Sequence, residues 1–228
     1  MGIMAIRPSS RIGPSVIGAA FLLFATVAIA AGANDQAASI AHYGDQSDGI
    51  PACASCHGDN GQGQAAAGFP RLAGLPQSYL ARQLAHFANG QRHNAMMTPI
   101  AKLLSANQRE SLAAYYAQLP PPKQVKRHDA KTSAAVERLA HDGRWNEDLP
   151  GCTQCHGAGG LGVGQDFPPL AGQPAAYIVN QLHDWQQGKR PPGPLHLMSA
   201  VAGKLSDSDI QALAAYFSNR PTTAGKAQ

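Results

Sequence analysis

Charge is sparse in this chain. Asp, Glu, Lys and Arg make up only 14% of its 228 residues, which argues against long solvated helices as the main architecture. Aromatic residues are also few, at 6%, so ordinary side chains alone would build only a modest core in a half-chain of about 100 residues. Neither sign of charge dominates. The formal net charge is +4, and removing residues 1–30 takes away Arg7 and Arg11 but no acidic residue, leaving +2. A surplus that small gives no footprint for nucleic acid. Glycine (24) and proline (17) are plentiful instead, as expected for compact, loop-rich modules.

Cysteine is scarce too, with four in all, and two copies of one pattern use every one of them. Cys53-Ala54-Ser55-Cys56-His57 recurs as Cys152-Thr153-Gln154-Cys155-His156. Cys-x-x-Cys-His is the attachment sequence of a c-type haem. Two intervening residues let both sulfurs reach one porphyrin edge as thioethers, and the adjacent histidine supplies the proximal iron ligand. A thioredoxin-like pair or a split zinc site would not require a histidine after both pairs, and a zinc ribbon would bring its pairs closer together. The spacing therefore predicts two covalent haems, on Cys53, Cys56, Cys152 and Cys155. Each would add apolar bulk that the side chains lack.

Residues 1–33 read as a signal peptide. Arg7 and Arg11 form a positive start, Val16 to Ala31 is an apolar run, and Ala28-Ile29-Ala30 and Ala31-Gly32-Ala33 are small-x-small cleavage sites. The alternative is an uncleaved anchor, for which the apolar run is near the lower limit of length. Export to the periplasm agrees with the haem chemistry, because c-type haem is attached outside the bacterial cytoplasm.

The rest of the chain divides into residues 34–120, a linker at 121–131, a second unit at 132–220 and a tail at 221–228. The first unit opens on a weak helical pattern through Ala37, Ile40, Ala41 and Tyr43. Tyr79, Leu80, Gln83, Leu84 and Phe87 make a stronger one, which Asn89-Gly90 ends. A loop with Met96 and Met97 follows, then a helix after Ser105 with Gln108 completing a capping box. Pro120-Pro121-Pro122 and a lysine-rich stretch form the linker. The second unit, opening with a helix from about Thr132 to Ala140, then repeats the first. Phe167-Pro168-Pro169-Leu170-Ala171-Gly172 matches Phe69-Pro70-Arg71-Leu72-Ala73-Gly74, and Tyr177, Gln181, Leu182 and Trp185 match Tyr79, Gln83, Leu84 and Phe87. Gly188 and Arg190 match Gly90 and Arg92. A unit this long is a duplicated domain, not a solenoid repeat.

What fills the second axial position separates electron transfer from chemistry. Met97 lies eight residues before Ser105 and Met198 eight before Ser206, so register selects Met97 over Met96. The predicted ligand pairs are His57 with Met97 and His156 with Met198. No histidine outside the haem motifs is expected to hold matching positions in the two halves. Thioether sulfur favours ferrous iron and closes it to substrates, which points to an electron carrier and not an enzyme. Pro70 and Pro168 are candidates for the carbonyl that orients each ligating histidine.

This ordered set, twice in about 200 residues, resembles dihaem cytochrome c4. The resemblance implies an all-α chain of two class I cytochrome c domains about a pseudo-twofold axis, with haems close enough for internal transfer. It implies a soluble or loosely membrane-associated carrier passing electrons between redox proteins, towards a terminal oxidase. The alternative is the haem subunit of a dehydrogenase, similar to the dihaem partner in flavocytochrome c sulfide dehydrogenase.

Overall fold

The computed structural model describes residues 34–122 and 133–223, together with residue 2. Apart from residue 2, the expected signal peptide lies outside the described residues. So do the linker from residue 123 onward and the tail from residue 224.

The chain folds into two mostly helical cytochrome c domains. In the first, α1 (34–43) buries Ala37, Ile40 and Ala41 on one stripe. Tyr43 is exposed, so the stripe ends before it. The short α2 (Ala54–His57) carries the haem motif, and α3 (Gln77–Ala88) packs against α4 (Met97–Leu103) and α5 (Ala106–Gln118). Leu80 and Ala81 from α3, Leu104, and Leu112, Ala113 and Tyr116 from α5 join the α1 stripe in one apolar cluster. The predicted capping box is present: Ser105 Oγ accepts from Gln108 N, and Gln108 Oε1 accepts from Ser105 N.

The second domain repeats this order with α6 (Ala134–His141), α7 (Cys152–His156), α8 (Ala175–Gln186), α9 (Leu197–Gly203) and α10 (Asp207–Ser218). Leu139, Ile178, Leu182, Ile210, Leu213 and Phe217 head its own cluster. Helix α6 begins after Ser133, whose Oγ accepts from Val136 N. A two-residue ribbon, β1 (Gly143–Arg144) against β2 (Leu149–Pro150), is the small departure from an all-helical pattern.

Two segments read as loop are helical. Met97 opens α4 and Met198 is the second residue of α9. The reason is visible at Asn94, whose Oδ1 accepts from the backbone N–H groups of Met96 and Met97 and so caps the turn. Pro99 sits in the first turn of α4, where its missing N–H costs nothing.

The apolar clusters are separate, but a buried polar seam joins the domains. Gln83 Oε1 accepts from Arg92 of its own domain at 2.9 Å and from Arg190 of the other at 3.0 Å. Gln181 Oε1 likewise accepts from both Arg190 and Arg92. The guanidinium of Arg92 lies over Phe87 and that of Arg190 over Trp185. Each domain thus contributes a glutamine, an arginine and an aromatic ring at equivalent positions, and the pattern is self-complementary. A second clasp has no such symmetry: the Gln173 amide pairs with the Arg71 backbone, accepting from its N–H and donating to its carbonyl, both at 3.0 Å. Arg82 and Asp166 close the rim with a 3.0 Å ion pair.

Candidate functional site

Each haem motif is one turn of helix, which places the cysteines three apart on one face and the histidine next to the second. In domain 1 the His57 N–H donates to Cys53 O at 2.9 Å. The chain then doubles back, with Gly63 N–H donating to His57 O and both Leu72 and Ala73 N–H donating to Gly61 O. In domain 2 the same bonds run from Gly162 to His156 and from Leu170 and Ala171 to Gly160. The Phe-Pro-x-Leu-Ala-Gly strap is finally tied to the last helix by Gly74 N–H on Tyr116 O and Gly172 N–H on Phe217 O, each at 3.0 Å. Gly61 and Gly160 make this approach feasible. Both have positive φ, and a Cβ on either would stand under 3 Å from the Tyr116 or Phe217 ring.

The strap aims the prolines at the histidines. His57 Nδ1 lies 2.9 Å from Pro70 O, and His156 Nδ1 lies 2.7 Å from Pro168 O. A carbonyl can only accept, so Nδ1 carries the proton and Nε2 keeps its lone pair. Burial, which outweighs the proline carbonyl, pushes both imidazoles below the ordinary histidine range. Both are therefore neutral at physiological pH, which is the form that ligates metal. Phe69 and Phe167 stand beside these rings at 6.3 and 6.2 Å.

A cavity of about 820 Å³ opens in front of His57. Cys53, Cys56 and Met97 line it together with Leu72, Leu80, Phe87, Ile100 and Tyr116. This mainly apolar chamber, with two sulfurs, a neutral imidazole and a thioether, fits a c-type haem. Met97 is half-buried, while its neighbour Met96 is 54% exposed, although both reach the chamber. In domain 2, Cys152 and Met198 are half-buried against the apolar cluster, and His156 is buried. The first chamber also touches Tyr177, Gln181, His183, Asp184 and Lys189, so it opens onto the other domain.

Several residues at the sites went unread in the sequence. His42 and His141 do match: each lies eleven residues before its first motif cysteine, contrary to the expectation that no other histidines would. His42 Nε2 meets Tyr115 Oη and His141 Nε2 meets Tyr216 Oη, both at 2.9 Å, tying first helix to last. Counting from the cysteines, not from the final helix, would have found the pair. Gln83, Arg92, Gln181 and Arg190 were visible as repeats, but nothing local marks them as an interface. Tyr79 and Tyr177 lie there too. Burial raises the Tyr79 hydroxyl, whereas at Tyr177 the same effect is outweighed by Arg92 and Arg190, which lower it.

Residues 41–120 match the Cytochrome c family, and residues 144–217 match the family described as Cytochrome C oxidase, cbb3-type, subunit III. A cytochrome c4 of Pseudomonas aeruginosa is 36% identical over 166 residues, spanning 72% of this chain and 81% of that protein. The chain belongs to the dihaem cytochrome c4 family. As a member it carries two covalently bound c-type haems and transfers electrons. Another c4-like relative is the "thiosulfate dehydrogenase electron acceptor" of Thiomonas intermedia, 47% identical over 175 residues, which are 76% of this chain and 81% of that one. A solved "thiosulfate dehydrogenase (TsdBA)" from Marichromatium purpuratum superposes with a TM-score of 0.77 at 44% identity. The match covers 83% of this chain but only 40% of that longer one.

Proposed function

We propose that this c4-family protein is exported to the periplasm and accepts electrons from a thiosulfate-oxidising dehydrogenase. The observation that carries the reading is the 47% identity to a named thiosulfate dehydrogenase electron acceptor across both haem domains. The Marichromatium chain supports it, since a segment like this one lies within a longer protein named for the dehydrogenase. Onward delivery runs towards a terminal oxidase, on the strength of the family resemblance. Export is supported by residues 1–33 and by the chemistry of c-type attachment; among the described residues no helix is long and apolar enough to cross a membrane.

Within each domain the two cysteines would hold the haem by thioethers, with His57 and Met97 on one iron and His156 and Met198 on the other. Bound in this way, the haem supplies a one-electron couple. Pro70 and Pro168 hold the imidazoles in the ligating tautomer, and the methionines close the remaining position. With no open position, the protein carries electrons without being an enzyme itself.

The test is reconstitution. Under anaerobic conditions, the oxidised holoprotein is mixed with thiosulfate and a purified thiosulfate dehydrogenase. Visible absorption should show both haems reduced, and neither should be reduced if the dehydrogenase is omitted. If thiosulfate and enzyme leave the protein oxidised while a sulfide-oxidising flavoprotein with sulfide reduces it, the flavocytochrome reading replaces this one.

A further inference from the structure

The two repeats build the turn that carries the axial methionine in different ways. With Met97 aligned on Met198, Asn94 stands opposite Leu195, Met96 opposite Leu197 and Thr98 opposite Ser199. Domain 1 therefore has a second thioether next to its ligand, and domain 2 has none. Met96 is the more exposed of the two methionines, yet both line the chamber that holds His57. Burial alone does not reject the neighbour.

Domain 1 also has a cap that domain 2 lacks. Thr98 N–H donates to Asn94 O at 3.0 Å, the first helical bond of the turn. Asn94 Oδ1 accepts from Met96 N–H at 3.0 Å and from Met97 N–H at 2.9 Å. Thr98 answers from the other side, where its Oγ1 accepts from Asn94 N–H and donates to Arg92 O. The chain just before the cap is fixed as well, because His93 N–H donates to Lys189 O of domain 2 at 3.0 Å. In domain 2 the place of Asn94 falls to Leu195, whose side chain offers no acceptor, and α9 starts without a side-chain cap. There the turn is set by backbone, with Leu195 and His196 left-handed at φ of +55° and +57°.

We propose that Asn94 is the positioning residue that selects Met97 over Met96 as the ligand of the domain-1 haem. Successive residues of a helix point about 100° apart, so one setting of the turn presents only one of two adjacent methionines to the iron. A side-chain oxygen that takes both N–H groups fixes that setting at the two residues in question. Without it, those N–H groups turn to water, and the turn is free to shift by one residue and offer Met96. Domain 2 needs no such device, because Leu197 carries no sulfur. The inference deepens the carrier reading and rests on its assignment of a methionine to the sixth position.

The experiment is proton NMR of the fully reduced holoprotein, with no dehydrogenase present, so a failure of the thiosulfate assignment leaves the result intact. The ring current of a low-spin ferrous haem moves the methyl signal of a ligated methionine far upfield. Two such signals are expected, of which Met97→Leu should remove one and Met198→Leu the other. Asn94→Ala should split the domain-1 signal in two and leave that of domain 2 in place. Adding Met96→Leu should return a single domain-1 signal at its original position. Asn94→Asp keeps the acceptor oxygen and should not split it. Where Asn94→Ala yields no holoprotein, Thr98→Val decides in the same way, since it removes the Oγ1 that holds the same turn. An unsplit domain-1 signal, or a split that survives Met96→Leu, overturns the proposal while the ligand assignment stands. A pair of signals untouched by Met97→Leu overturns the ligand assignment and the proposal with it.

Discussion

Tautomer and backbone conformation at single residues govern both sites. The Pro70 and Pro168 carbonyls leave His57 and His156 with free Nε2 lone pairs, and Met97 lines the same chamber as His57. Met97→His and Met198→His should each lower the potential of their own haem, since imidazole lacks the preference of thioether sulfur for ferrous iron. The weak far-red band of the ferric iron–sulfur bond should fall by about half in either variant, given two equal sites. Met96→Leu is the control and should leave the band in place; losing the band there would move the ligand by one residue. Gly61→Ala is a second prediction at this scale. Its Cβ would stand 2.8 Å from the Tyr116 ring on a backbone with φ of +63°. The expected cost is about 1–3 kcal/mol, read from thermal unfolding of the holoprotein. The motif residues were legible in the sequence because covalent chemistry requires them at fixed spacing. Arg71 was not, since a buried arginine facing only carbonyls has no local pattern.

Among the elements, the last helix of each domain carries the strap and, through Tyr115 or Tyr216, the first helix. Its start in domain 2 is held by Ser206 and by Asp209, which also pairs with Arg144 at 3.0 Å. The Arg144 guanidinium, together with Ser206, holds the Asp209 carboxyl below its ordinary range despite partial burial. A carboxylate with a depressed folded pKa stabilises above its unfolded value and loses that contribution as pH falls through the folded one. Asp209→Asn should therefore be less stable than the parent at neutral pH. The gap should narrow below about pH 4 in paired denaturation curves. A gap independent of pH would mean the ion pair contributes nothing. The long helices could be read from periodicity, and the capping box of α5 from Ser105 and Gln108. Helices α4 and α9 could not, because seven residues are too few to show a period and the cap at Asn94 depends on a side chain folding back.

For the whole molecule, the seam between domains is polar and buried, which is where reading from sequence stopped. Separate cores were legible from two sets of apolar positions. The interface was not, because glutamine and arginine at helical spacing look like a solvated face until another domain covers them. Gln173→Ala would leave the Arg71 N–H and carbonyl without partners, at about 1–3 kcal/mol. We expect the domains to uncouple, with one calorimetric transition becoming two; a single transition displaced as a whole would show that the Arg92–Arg190 pattern suffices alone. Two low-spin haems in one such frame should take up electrons without admitting ligands. Spectroelectrochemical titration of the intact holoprotein, repeated under carbon monoxide, measures both properties at once. Two one-electron steps per chain are expected, with the far-red band present when oxidised and potentials unchanged by the gas. A single step per chain, or a wave that carbon monoxide displaces, would contradict a carrier with two closed haems.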